Sequence, residues 1–215
     1  MKKMKLNKLM MAFALVFASG ALFAACGSGG GGTVEPVDES TDSAEAEAAE
    51  TDTDADGNPV VVISIKDYGD IEVELDPAAA PITVANFLGL VDEDFYDGLT
   101  FHRIILGFMI QGGDPDGTGS GGLSNKIKGE FAKNGWDNPI SHKRGVISMA
   151  RTDDPNSASC QFFITNVDAL FLDGQYAAFG HVISGMEVVD EISAVPTDAN
   201  DRPSSPVIIE KIRRK

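Results

Sequence analysis

The chain has 215 residues, 43% of them hydrophobic, and a formal net charge of −16: enough apolar content for an ordinary core, but the wrong sign for binding phosphate backbones, so no nucleic-acid partner is expected. Cys26 and Cys160 are the two cysteines and lie in segments of very different character, which argues against a disulfide between them. His102, His142 and His181 show no metal-ligand spacing, so no metal site is expected.

The charge is distributed unevenly along the chain. Lys2, Lys3, Lys5 and Lys8 precede an apolar run from Leu9 to Phe23, broken only by Ser19 and Gly20 and ending in Ala24 and Ala25. The run is shorter than the ~20 apolar residues that cross a bilayer, and with its small-residue end it reads as a secretory signal over 1–25. Leu22-Phe23-Ala24-Ala25-Cys26 resembles the bacterial lipobox, with Phe23 where Leu is usual. That resemblance implies diacylation of Cys26 and a protein held to the cell membrane on its extracytoplasmic side. Residues 26–59 then hold a Gly/Ser run followed by Ala, Thr, Asp and Glu, with ten acids and no Lys or Arg. Such a segment buries too little to fold and reads as a flexible linker, whose thirty or so residues reach roughly 30 Å.

The folded part is expected over 60–215. Val60 to Lys66 is a β-branched run and Asp70 to Asp76 alternates strictly, which predicts a hairpin closing near Tyr68-Gly69. Ala80 to Asp92 places Val84, Phe87, Leu88 and Val91 at helical spacing, with Pro81 in the first turn. Further strands are expected at Thr100 to Leu106, Val146 to Ala150, Phe162 to Thr165, Ala177 to Ile183 and Val207 to Ile212, with a second helix at Met186 to Ile192. Many short strands and few helices point to a β-barrel or sandwich. Cys160, in Ser-Cys-Gln-Phe-Phe, reads as a small apolar residue of a buried strand with no neighbouring His to activate it. The basic end Arg213-Arg214-Lys215 reads as a solvated terminus.

Several separated motifs fall in register with one known family. Phe101-His102-Arg103-Ile104-Ile105-Leu106-Gly107-Phe108-Met109-Ile110-Gln111-Gly112-Gly113-Asp114 closely resembles the cyclophilin signature, with Leu106 where the family has Pro. Gly119-Ser120-Gly121-Gly122, Gly145 to Ala150, Ser159 to Ile164, Leu172-Asp173-Gly174 and Phe179-Gly180 follow in the family's order. The resemblance spans Val60 to Ile212. It implies a mainly β fold, a closed eight-stranded antiparallel barrel with two capping helices, and peptidyl-prolyl cis/trans isomerase activity without a cofactor.

The resemblance also assigns roles. Arg103 is the catalytic donor to the twisted amide; Phe108, Met109, Phe163, Leu172 and Tyr176 form the proline pocket; Gln111, Ala150, Arg151, Thr152, Gln161 and Phe171 contact the peptide, Gln161 through Arg103 or the peptide itself. Taken alone, Phe108, Met109 and Phe163 would read as core, and Arg103 as a solvated strand residue; the motif context reverses this. His102 falls on the other side of its strand from Arg103 and reads as structural. Phe171 and Tyr176 stand where the best-known members have a cyclosporin-binding Trp and a pocket His, so weak cyclosporin binding is expected. The implied partners are Pro-containing unfolded or exported polypeptides, engaged by a monomer. A non-catalytic holdase of Pro segments is the competing reading, and the presence of Arg103 weighs against it.

Overall fold

The computed structural model describes residues 57–215; the leader, Cys26 and the linker as far as residue 56 lie outside the described residues. Eight strands close into an antiparallel barrel in the order β1-β2-β7-β5-β6-β4-β3-β8. They are β1 (Val60–Ile65), β2 (Gly69–Leu75), β3 (Thr100–Ile105), β4 (Met109–Gly112), β5 (Val146–Met149), β6 (Phe162–Thr165), β7 (Ala178–Ser184) and β8 (Val207–Arg214). Helices α1 (Pro81–Asp92) and α2 (Met186–Ser193) pack on the barrel core.

The alternation read from the sequence sets the faces. Val61, Ile63 and Ile65 of β1, and Ile71, Val73 and Leu75 of β2, point inward across a hairpin registered from Val60↔Glu74 to Ile65↔Gly69. Phe87 of α1 anchors the centre, with ring centroids 5.2 Å from Tyr96, 5.5 Å from Phe162 and 5.2 Å from Phe179. Such tilted and edge-on contacts add to the burial of large rings.

Three features depart from the sequence reading. β4 is a strand of its own: the chain reverses between Ile105 and Met109 through Gly107, whose φ of +75° suits glycine, and a continuous apolar signature hid that turn. Cys160 is buried as expected, yet it precedes β6 instead of lying in a strand. The basic end is not free in solvent, because β8 continues to Arg214. Arg213 forks onto Asp97 at 2.9 and 2.6 Å, and Arg214 onto Asp92 at 2.8 and 2.7 Å.

Candidate active site

The site is built on the outer face of β3, β4 and β6, and a one-residue irregularity puts its arginine there. Phe101 pairs with Gly112 and Arg103 with Gln111, so His102 is an extra residue bulged out of the ladder. Strict alternation would have placed Arg103 on the same face as Phe101, which is in the core. The bulge shifts the phase, Ile104 takes the inward place, and Arg103 projects outward. His102 is also buried, and it does not line the groove described next.

Across the sheet the outward row continues from Arg103 to Gln111 to Phe163, while Ile110, Phe162 and Ile164 fill the barrel. Met109, Phe163, Ala169 and Leu172 form a second, smaller apolar cluster outside the barrel, with Phe108, Ala150 and Tyr176 packed against it. They shape a groove of about 280 Å³. Phe108, Met109, Phe163, Leu172 and Tyr176 give its apolar floor and walls; Arg103, Gln111 and Arg151 give the polar side, and Gly119 and Ala150 complete the lining. All five residues assigned to the proline pocket therefore converge.

The peptide-contact residues divide. Gln111, Ala150 and Arg151 line both the groove and an adjoining polar pocket of about 140 Å³, where Thr152 and Gln161 join Ser120, Lys126, Ser157 and Ser159. Phe171 lines neither; 65% exposed, it sits on the rim with its ring 5.4 Å from that of Phe108. Gln161 does not hold Arg103. Its amide nitrogen donates to the carbonyls of Gly121 (2.8 Å) and Gly119 (3.3 Å), and its oxygen accepts from Gln111 at 2.8 Å. The group that holds Arg103 is Asp201, whose carboxylate accepts from Nε at 3.2 Å.

Buried polar groups set these parts in place. Asp114 accepts from the backbone N–H groups of Asp116, Thr118, Gly119 and Gly121, which fixes the loop carrying Gly119. Burial alone would raise its carboxyl, and those donors hold it below the usual carboxylate range. Under Phe163, the His142 ring contacts Asp173 through Nδ1 (2.9 Å) and Ser148 through Nε2 (3.0 Å). Burial pushes the His142 pKa down, against the raising effect of Asp173, so a neutral ring donates from Nδ1 and accepts from the Ser148 hydroxyl. The connectivity is that of a hydrolase triad, but Ser148 is completely buried and lines neither pocket, so the trio supports the slot. Cys160 is likewise no nucleophile, since burial raises its thiol pKa.

An apolar slot and a guanidinium on one barrel face agree with the family comparison. The model of the cyclophilin-type peptidyl-prolyl cis-trans isomerases matches residues 60–214. The chain belongs to this family. Peptidyl-prolyl cis-trans isomerase A of Dickeya dadantii is 44% identical over 154 residues, 67% of this chain and 79% of that one. An Acinetobacter baylyi peptidyl-prolyl cis-trans isomerase is 42% identical over 156 residues, 68% of this chain and 81% of that one. Among solved structures, a Cryptosporidium parvum cyclophilin determined in the presence of the dipeptide Ala-Pro superposes with a TM-score of 0.67 at 35% identity. It covers 73% of this chain and 98% of its own. This cyclophilin is thus a peptidyl-prolyl isomerase, with the family's barrel and two helices.

The sequence reading missed Asp201, Gly119 and the His142 trio. Gly119 stood inside a quoted motif but had no role. Asp201 lies 98 residues from Arg103 in an unremarked polar loop, and no local pattern marks it.

Proposed function

We propose that the groove takes an X-Pro segment of an extended polypeptide, with the proline ring between Phe108, Met109, Phe163, Leu172 and Tyr176 and with Arg103 as the catalytic residue. The barrier to amide rotation is ~18–20 kcal/mol, so the uncatalysed step takes tens to hundreds of seconds. No bond breaks. As the amide twists, conjugation is lost and the nitrogen lone pair localises, and a guanidinium beside it donates to that lone pair far better than to the planar ground state. Gln111 and the backbone near Ala150 hold the flanking chain, so that the carbonyl preceding proline turns while the ring stays seated.

The observation that carries this assignment is the shared outward row of Arg103, Gln111 and Phe163 on three adjacent strands. Arg103→Ala in the full chain, followed by exchange spectroscopy on a Pro peptide and by a melting curve, tests it. The expected result is a loss of roughly 10²- to 10³-fold in kcat/KM with peptide affinity and fold retained. A rate within threefold of wild type overturns the role of Arg103. Peptide binding by the wild type without catalysed exchange would instead favour the holdase.

The substrates proposed are exported polypeptides, with the enzyme anchored outside the cytoplasm through diacylated Cys26. The support is the leader: a short apolar run ending at Ala24-Ala25-Cys26 without basic residues. Two acyl chains meet the two-signal requirement for stable anchoring. Cys26→Ser is expected to shift the protein from the detergent-rich to the aqueous phase; a wild type already in the aqueous phase overturns the anchor.

A further inference from the structure

The catalytic assignment of Arg103 leaves open what aims its guanidinium. A free arginine side chain loses ~2 kcal/mol of rotamer entropy when fixed, so a donor that acts only in the twisted state is useful only if it is already in place. From that assignment, we infer that Asp201 is the positioning residue of Arg103, an acidic clamp supplied by the loop that precedes β8.

Three features converge on Asp201. Its carboxylate accepts from Arg103 Nε at 3.2 Å, which occupies the inner edge of the fork and leaves both terminal nitrogens for other partners. Its backbone carbonyl accepts from the N–H of Ile104, the next residue of β3, at 2.8 Å. One residue thus grips the strand and the side chain of the same arginine. Third, Asp201 lies at φ +63°, a left-handed conformation that only Gly, Asn and Asp adopt readily.

The loop is braced to hold that conformation. Asp198 accepts through its carboxylate from the backbone N–H groups of Asn200 (2.8 Å) and Arg202 (3.0 Å), and Thr197 bridges Pro203. Asp201 N–H closes the turn on the Asp198 carbonyl at 3.1 Å. Stability does not account for the Asp201 carboxylate: the two side chains are 44% and 39% exposed, and exposed pairs contribute little to folding. A braced non-glycine residue in left-handed backbone, aimed at the catalytic side chain, fits a positioning role. The carboxylate also offsets the guanidinium charge, so Arg103 offers directed N–H donors more than a long-range field.

The test combines Asp201→Gly, which removes the carboxylate and tolerates the backbone, with Asp201→Asn, which keeps an oxygen acceptor and also tolerates it. Exchange spectroscopy on a Pro peptide separates the bound-state exchange rate from affinity in the full chain. Asp201→Gly is expected to slow bound-state exchange about tenfold, since misplacing a catalytic group by about 1 Å costs up to 10²-fold, while Kd stays within about twofold. Asp201→Asn should recover most of that loss. In the Arg103→Ala background Asp201→Gly should change nothing further, because the clamp acts only through the arginine. An exchange rate for Asp201→Gly within twofold of wild type, beside a severe loss in Arg103→Ala, overturns the clamp and leaves the role of Arg103 standing. If Arg103→Ala is itself harmless, both fall. Equal losses from Asp201→Gly in the presence and absence of Arg103 mean that the loop merely supports the fold, and this also overturns the proposal.

Discussion

The His142 imidazole lies nearly parallel to the Phe163 ring, 16° apart with centroids at 6.2 Å, and it ties the slot floor to the Asp173 carboxylate and the Ser148 hydroxyl. Asp173 also accepts from the His142 backbone N–H at 2.7 Å and from the Ser141 hydroxyl at 2.6 Å, so the turn that follows Leu172 is pinned from one side. His142→Ala empties the space behind Phe163 and leaves Asp173 and Ser148 without their shared partner. It should cost about 2–4 kcal/mol of stability and weaken peptide affinity more than it slows bound-state exchange, because it loosens the slot and leaves Arg103 in place. Urea melts and peptide titration check both; an unchanged Kd would show that the slot holds its shape without the imidazole.

Stability should decline on mild acidification. Burial lowers the pKa of both His102 and His142 from the ordinary 6.5. For a group depressed in the fold, the unfolded chain takes up the proton first, so its contribution is full above about pH 6.5 and is lost as pH falls toward the folded value. Asp114 and Asp173, also depressed, begin to cost stability only as pH falls through their ordinary 3.8. Tm should therefore fall between about pH 6.5 and 4.5 through the histidines alone, and the slope should shrink in His142→Asn. A flat Tm over that window would contradict the neutral, buried assignment.

Cyclosporin should bind weakly and be improved by one substitution. Phe171 is on the rim, where its ring meets that of Phe108 at a tilt but carries no N–H donor. Phe171→Trp supplies an indole donor worth about 0.5–1.5 kcal/mol, a gain of roughly two- to tenfold in affinity. Titration of both proteins reads this directly, and an unchanged Kd would assign the weakness to Tyr176 or the surrounding loops.

Deleting 27–58 should leave catalysis on a short soluble peptide unchanged, since that acidic stretch offers almost no large apolar residue to the slot. A tenfold drop in kcat/KM would make the segment part of the active unit.

How much of this was legible depends on the range of the interaction. Strands with strict alternation, such as β2, and the helix with Val84, Phe87, Leu88 and Val91 on one face could be read locally, because a 2.0 or 3.6 period is a property of neighbouring residues. β4 could not, because it is four residues long and flanked by apolar positions that mask the turn at Gly107. The eighth strand therefore came from the family resemblance and not from the pattern. Site residues inside the signature motifs were legible for the same reason of locality. Asp201 on Arg103, Asp173 on His142, and Arg213 on Asp97 join residues 98, 31 and 116 positions apart. Which acid meets which base is decided by barrel closure, which no window of sequence contains.

The N-terminus of α1 gives a prediction that separates folding from catalysis. Ala80 is its cap residue and has no side chain that could accept, Pro81 follows without an N–H, and the next N–H groups, of Ile82 and Thr83, have no partner in the preceding helical turn. Glu130, from a loop about fifty residues on, takes that place. Its fully buried carboxylate accepts from Ile82 N–H at 3.0 Å, Thr83 N–H at 2.8 Å and the Thr83 hydroxyl at 2.7 Å. Three donors and the helix dipole compensate a buried charge that would otherwise be costly. Glu130→Gln keeps one acceptor oxygen but brings an amide N–H group toward a cluster of donors, so it should destabilise by about 1–3 kcal/mol. Glu130→Ala removes the acceptor of all three donors, leaves the two of Thr83 buried and unpaired, and should cost about 3–5 kcal/mol. Thr83→Val removes one of the donors and should partly rescue Glu130→Ala, a coupling that a double-mutant cycle measures. Glu130 lines neither the groove nor the pocket beside it, so every variant that remains folded at the assay temperature should isomerise a Pro peptide at close to the wild-type rate. A variant that keeps its urea midpoint but loses catalysis would show that the α1 cap feeds into the groove.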